Sequence, residues 1–344
     1  MSIRNMSPQL MFEKLALEHK PLHAFNGKTK KDFDEWKKIL LPKVMATLAD
    51  FPERVPLNPQ LLAEWEHDGL LKQRWIIDVQ KYLSSTFLVN VPKGLKPGEK
   101  RPAILCWHGH LSTGKDCIMG DPTKQEYPDH DYGHKMAKEG FVTFAIDWMG
   151  KGDHNDNAKP NHKSQNYNRD WCNLYYLHAT MLGMTSISIH VSHGMAATDF
   201  ACSLPFVDSE RLGVMGCSGG GTMTLWSAIC DERFKASEII CYSDLWAYFG
   251  YRDINYCGMQ VAPGLFKIAD LPDVQGLIAP RPLLVDIGTY DICFLVDTAM
   301  MCYRKAEEIY RAAGAQDRLV LNLFPGGHGW DGGKSVEFFR KYLL

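Results

Sequence analysis

Arg211-Leu-Gly-Val-Met-Gly216-Cys217-Ser218-Gly219-Gly220 is the stretch that decides the fold. A short unbroken apolar run ends on G-x-S-x-G, and Thr222 to Cys230 continues at helical spacing. Such a run reads as a strand buried on both faces. A strand that turns sharply into a helix around a serine pushes the hydroxyl outward, and the helix N-terminus aims its amides at the same place. Glycine is needed at 216 and 220 because side chains there would collide with the neighbouring strand and helix. The bland alternative, a glycine-rich turn without chemistry, is disfavoured by the strand–serine–helix context. Cys217 is a rival nucleophile. It is rejected because Met215 stands where an elbow centred on cysteine would need glycine.

Outward from this elbow the chain alternates. Apolar runs at Ala103–Trp107, Phe141–Ile146, Ser237–Cys241, Pro282–Ile287 and Arg318–Leu323 read as strands. Trp75–Val79 and Ser85–Val91 read as two more. Helical stretches are expected at Tyr132–Glu139, Ser186–Cys202, Thr222–Cys230, Asp297–Ala313 and Ser335–Leu343. The alternation implies an α/β fold with a mostly parallel central sheet flanked by helices, in which loops at the carboxyl ends of the strands carry the chemistry. Residues 1–70 read as a helical N-terminal extension, with Phe33, Trp36, Ile39 and Leu40 at helical spacing and Pro42, Pro52, Pro56 and Pro59 breaking it into short pieces. Residues 71–344 form the expected catalytic domain.

A serine nucleophile needs a base, and histidine is matched to neutral pH. Of 13 histidines, His328 in Phe324-Pro-Gly-Gly-His-Gly-Trp is the strongest candidate, since it follows the last strand and glycines let its ring reach inward. The carboxylate that fixes the imidazole is expected at Asp291, just past the Pro282–Ile287 run. Asp297 is the next candidate, read as a helix N-cap, and Asp286 lies inside the strand. The oxyanion donors are expected to be the amides of Gly219 and His110, with Gly109 permitting close approach. His108 reads as structural.

Several other features are set aside. Gly109-His-Leu-Ser-Thr-Gly-Lys115-Asp116 nearly spells a phosphate-binding loop, but Asp116 replaces the required hydroxyl and would repel phosphate. Asp129–Asp131 and Gly152–Asp156 are rich in metal-capable groups without ligand spacing and read as solvated loops. Trp171, Tyr175 and Tyr176 are read as either core or a roof over the site.

The composition is that of a globular protein, with 45% hydrophobic and 23% charged residues. A net charge of -2 over 344 residues points to neither nucleic acid nor an anionic membrane surface as partner. No apolar run is long enough to span a bilayer and the N-terminus has no secretory pattern, so the cytoplasm is the expected compartment. The ten cysteines include no C-x-x-C pair and several lie in apolar runs, as at Cys106 and Cys241, so they are expected to be reduced. No metal and no organic cofactor are expected. A homo-oligomer is compatible with the sequence.

Five stretches carry a family resemblance: Pro102-Ala-Ile-Leu-Cys-Trp-His-Gly-His, Asp147-Trp-Met-Gly-Lys-Gly-Asp, Val207 through Gly220, Ile278-Ala-Pro-Arg-Pro-Leu-Leu and Phe324-Pro-Gly-Gly-His-Gly-Trp. From about Trp75 onward the chain resembles the dienelactone-hydrolase-like and acetyl-xylan-esterase-like branch of the α/β hydrolases. That resemblance implies the α/β-hydrolase fold, a small-molecule carboxylic ester as substrate, and Ser218, Asp291 and His328 as a triad. Dienelactone hydrolases proper carry cysteine as nucleophile, and Ser218 here favours ordinary esters. A peptidase, lactonase or thioesterase on the same triad, or a non-catalytic binding protein on this fold, are the competing readings.

Overall fold

The computed structural model describes residues 4–156, 170–253 and 256–344. The strands are β1 (Gln60–His67), β2 (Leu70–Gln80), β3 (Leu83–Pro92), β4 (Arg101–Trp107), β5 (Val142–Ile146), β6 (Val207–Cys217), β7 (Phe234–Ile240), β8 (Leu283–Gly288) and β9 (Leu319–Phe324). They form one nine-stranded sheet in the order β1-β2-β3-β5-β4-β6-β7-β8-β9. From β5 to β9 all neighbours are parallel, whereas β1, β2 and β3 extend the sheet antiparallel. The helices are α1 (Pro8–Glu18), α2 (Lys30–Ala46), α3 (Lys115–Ile118), α4 (Tyr132–Lys138), α5 (Trp171–Met181), α6 (Ser186–Ser203), α7 (Gly219–Cys230), α8 (Leu265–Ile268), α9 (Leu271–Gly276), α10 (Val296–Ala312) and α11 (Ser335–Leu343).

The central strands are apolar without alternation because both faces are covered. Every residue of β5 and β8 is buried. One buried cluster includes α2, α6, α7 and α10 with one face of the sheet, and another includes α4 and α11 with the other. After β4 the chain adds β5 on one side and β6 on the other. That reversal opens a crevice beyond the carboxyl ends of β4 and β6, where ligands of open α/β sheets bind.

The N-terminal expectation needs correction. The extension is helical only at α1 and α2, and residues 60–67 form the edge strand β1, paired with β2. All eight β1 residues are exposed, so side-chain burial imposes no pattern and pairing with β2 defines the strand. Nor does Pro42 break α2, which runs through it. The helix is held at its start by a Thr29–Asp32 capping box and along its length by burial of Phe33, Leu40 and Val44. These offset the hydrogen bond that proline removes.

Candidate active site

Ser218 follows β6 and holds the N-cap position of α7 with φ 60° and ψ -120°. A non-glycine residue in that region is strained by about 1–3 kcal/mol and persists only where surrounding packing enforces it. The enforcement is visible. A Cβ on Gly220 would lie 2.1 Å from the Trp107 carbonyl oxygen. One on Gly216 would lie 2.6 Å from both that oxygen and the Gly220 oxygen. β4, β6 and α7 therefore close together only around glycine. Cys217 is fully buried, as befits the wall of the elbow rather than its reactive tip.

His328 lies on the loop after β9, and Asp291 follows β8. The ring Nδ1 of His328 donates to Asp291 Oδ2 at 2.8 Å, leaving Nε2 as the basic atom. The other oxygen of Asp291 accepts from the amides of Cys293 (2.7 Å) and Phe294 (3.0 Å). Burial alone would raise the Asp291 pKa; the bond to His328, its charge and the two amides outweigh burial and hold it below the ordinary carboxylate value. For His328 burial works the other way, lowering its pKa. The Asp291 hydrogen bond, the neighbouring Cys241 thiol and the Asp291 charge reverse this and lift the imidazole to about 9. Phe294 stacks on the ring at 5.8 Å and 10°, fixing its plane. Asp297 sits inside the first turn of α10, with Leu295 at the cap position rather than Asp297 as expected.

The loop after β4 approaches the elbow from the other side. A Cβ on Gly109 would fall 3.0 Å from the Cys217 oxygen and 3.3 Å from the Ser218 Cβ. Among the described residues neither the His110 nor the Gly219 amide has an acceptor. Beneath them Trp148 donates its indole N–H to the Gly109 oxygen at 3.1 Å and packs edge-on against the His110 ring at 5.0 Å. His108 is fully buried; its Nδ1 meets the Gly109 oxygen (2.8 Å) and the Trp148 indole N–H (2.6 Å), and its Nε2 meets the Trp148 amide (3.2 Å). Burial pushes its pKa down to about 4, so it is a neutral strut for the loop.

The near-phosphate loop has a different use. Lys115 is fully buried; it pairs with Asp147 at the end of β5 and with Asp153 at 2.8 Å. Asp147 also accepts from the amides of Lys115 (2.8 Å) and Asp153 (3.0 Å). A single buried carboxylate thus ties the loop after β4 to the loop after β5. The reading of Gly152–Asp156 as a solvated loop is corrected in part: Asp153 is exposed but joins this ion network, and His154 is buried. Asp129–Asp131 is corrected at its centre: Asp129 is exposed, whereas His130 is buried and its Nε2 meets the His328 carbonyl oxygen at 3.3 Å. Local composition cannot report these pairings, because the partners lie on other loops.

Ser218 and His328 open onto one cavity of about 660 Å³, within the usual range for small-ligand sites. His110, Asn173, Cys257, Gln260, Ile292 and Phe294 are among its walls. Sequence reasoning missed most of these. Ile292 to Phe294 carried a signal, lying next to Asp291; Cys257 and Gln260 carried none. The aromatic cluster divides: Trp171 is buried, Tyr175 and Tyr176 are half-buried, and Asp170 and Asn173 beside them face the cavity. All ten cysteines are free.

A mostly parallel sheet with a strained serine elbow and an acid–histidine pair at its strand ends is the architecture of the α/β hydrolases. A family model described as the Abhydrolase family matches residues 2–313, and the chain belongs to that family. The Bacillus subtilis protein YtaP, provisionally named a hydrolase, is 23% identical over 304 residues, covering 86% of this chain and 96% of YtaP. Among solved structures, one provisionally named an acetyl xylan esterase, from Bacteroides fragilis, superposes with TM-score 0.72 at 19% identity. The match covers 93% of this chain and 83% of that one. An esterase of the CE15 group from a marine bacterial metagenome has TM-score 0.67 at 14% identity, covering 94% and 95%. At these identities the structural likenesses carry the fold.

Proposed function

We propose that the protein is a serine esterase that cleaves short-acyl, above all acetyl, esters through Ser218, His328 and Asp291. The carrying observation is the 2.8 Å bond from His328 to Asp291 beside a cavity onto which Ser218 also opens. The names of the fold neighbours, acetyl xylan esterases and glucuronoyl esterases, support an ester substrate.

His328 Nε2 takes the Ser218 proton as Oγ attacks the ester carbonyl. Negative charge on the carbonyl oxygen is received by the Gly219 and His110 amides, each such donor being worth about 3 kcal/mol in comparable sites. His328 gives its proton to the departing alcohol, leaving an acyl-serine. Water, losing a proton to the same imidazole, releases the acid. Asp291 keeps the ring in the required tautomer and stabilises the imidazolium, without itself taking the proton. The reaction as written needs no metal or organic cofactor.

The test is turnover on matched panels of acetyl and longer acyl esters, lactones, thioesters and aminoacyl amides. Acetyl esters are expected to give the highest kcat/KM, with an initial burst of alcohol equal to the enzyme concentration where deacylation is slow. A higher kcat/KM on lactones, thioesters or amides assigns the triad to that substrate class instead. No turnover on any panel, together with an unreactive Ser218, leaves a binding protein on this fold.

A further inference from the structure

Beside the acyl cavity, three donor side chains converge that the mechanism does not use. A ring nitrogen of His110 and the thiol sulfurs of Cys172 and Cys257 all lie within 4.8 Å of one another. His110 Nε2 is 3.1 Å from Cys257 Sγ. Among the described residues one other group of this kind occurs, Cys241, Asp291 and His328, and there the acid and base are already engaged with each other.

We propose that His110, Cys172 and Cys257 form a binding site for a borderline-soft divalent cation of the zinc class. Two thiolates and an imidazole are the donor set that such an ion prefers over the hard cations. Zinc bonds of about 2.3 Å to sulfur and 2.0–2.1 Å to nitrogen put tetrahedral ligand atoms about 3.4–3.8 Å apart. The three atoms here need only small side-chain rotations to reach that spacing. With three protein ligands, and with His110 and Cys257 on the cavity wall, the fourth position falls to water or to a donor atom on a molecule in the cavity.

The surroundings hold the ligands in place. Cys172 lies in the first turn of α5, where its amide donates to the Asp170 side chain at 3.0 Å. The loop carrying Cys257 is fastened to α5 by Gly258 N–H donating to Asn173 Oδ1 at 2.8 Å. Glycine is required at 258, since a Cβ there would meet Tyr176 Cβ at 2.4 Å. Trp148 packs against the His110 ring. Gln260 Nε2 donates towards Cys257 Sγ at 3.8 Å, the kind of outer contact that supports a ligating thiolate. Local spacing hid this site because each ligand lies on a different segment: the loop after β4, α5, and the loop at Cys257. A bound ion would tie those segments together along one wall of the cavity.

The test uses the full chain, reduced and stripped with a chelator, titrated with Co²⁺ as a spectroscopic substitute and then with Zn²⁺. One equivalent of Co²⁺ per chain is expected to bind, with thiolate-to-cobalt charge-transfer absorption in the near ultraviolet that Zn²⁺ abolishes. Cys172→Ser and His110→Ala should each weaken binding by more than about 100-fold, beyond the loss typical of an outer-shell partner. Circular dichroism checks that both variants fold. Should Cys172→Ser fail to fold, His110→Ala, an exposed ring, decides alone. Failure of the reduced wild type to take up Co²⁺ overturns the proposal, as does uptake of unchanged affinity in the variants. Neither readout depends on esterase activity, so the two readings stand or fall separately.

Discussion

Asp291 and the protein interior pull His328 in opposite directions, and in the proposed mechanism the outcome sets when the base is available. Burial disfavours the imidazolium, whereas the Asp291 carboxylate favours it strongly enough to raise the pKa to about 9. A general base must be unprotonated in the free enzyme, so kcat/KM is expected to rise with pH through an inflection above 6.5 and no higher than about 9. Asp291→Asn removes the largest raising contribution and leaves burial opposed by the Cys241 thiol alone. The inflection should then fall towards or below 6.5, and kcat should drop about 10³–10⁴-fold as the tautomer is lost. A pH–rate profile of both proteins from pH 5 to 10 checks this; an inflection unmoved by the substitution would separate Asp291 from the base. Ser218→Ala should lower kcat by about 10⁶-fold. These three residues were legible because each follows an apolar run, and glycines surround two of them. The ring of His110, Cys257 and Gln260 was not legible, because loops assemble that wall from distant parts of the chain.

Elements meet at the elbow with almost no spare room. Gly220→Ala would drive a methyl group to 2.1 Å from the Trp107 carbonyl, a backbone atom that cannot rotate away. Separating α7 from β4 to admit it should cost about 3 kcal/mol or more, read as a lower urea midpoint, with loss of activity because Ser218 shifts. Stability equal to wild type would mean that the elbow is looser than described. The same tightness explains why the strands were readable. β5 and β8 are buried at every position, so nearly every residue is apolar and the run announces itself. β1 failed as a reading for the opposite reason: with all eight residues exposed, only pairing with β2 defines it. α5 was ambiguous because its aromatic residues divide between buried (Trp171) and half-buried (Tyr175, Tyr176) positions, while Asp170 and Asn173 beside them line the cavity.

Across the whole molecule the N-terminal segment is part of the core. α2 sends Phe33, Leu40 and Val44 into the same cluster as β5, α6 and α7, and Leu48 follows from the adjoining turn. Fully burying such side chains contributes about 1.5–3 kcal/mol each. Leu40→Ala should therefore destabilise the entire protein by about 2–5 kcal/mol in one cooperative transition. An early, separate transition at unchanged main midpoint would instead make the segment an independent appendage. The sheet that this core supports has one task in the account, which is to bring residues 218, 291 and 328 to a common cavity. Labelling with a fluorophosphonate and mapping the adduct by mass spectrometry tests that most directly. One phosphonyl group per chain on Ser218 is predicted, absent in Ser218→Ala and formed far more slowly in His328→Ala. An adduct on any other residue, or a rate indifferent to loss of the imidazole, would contradict it.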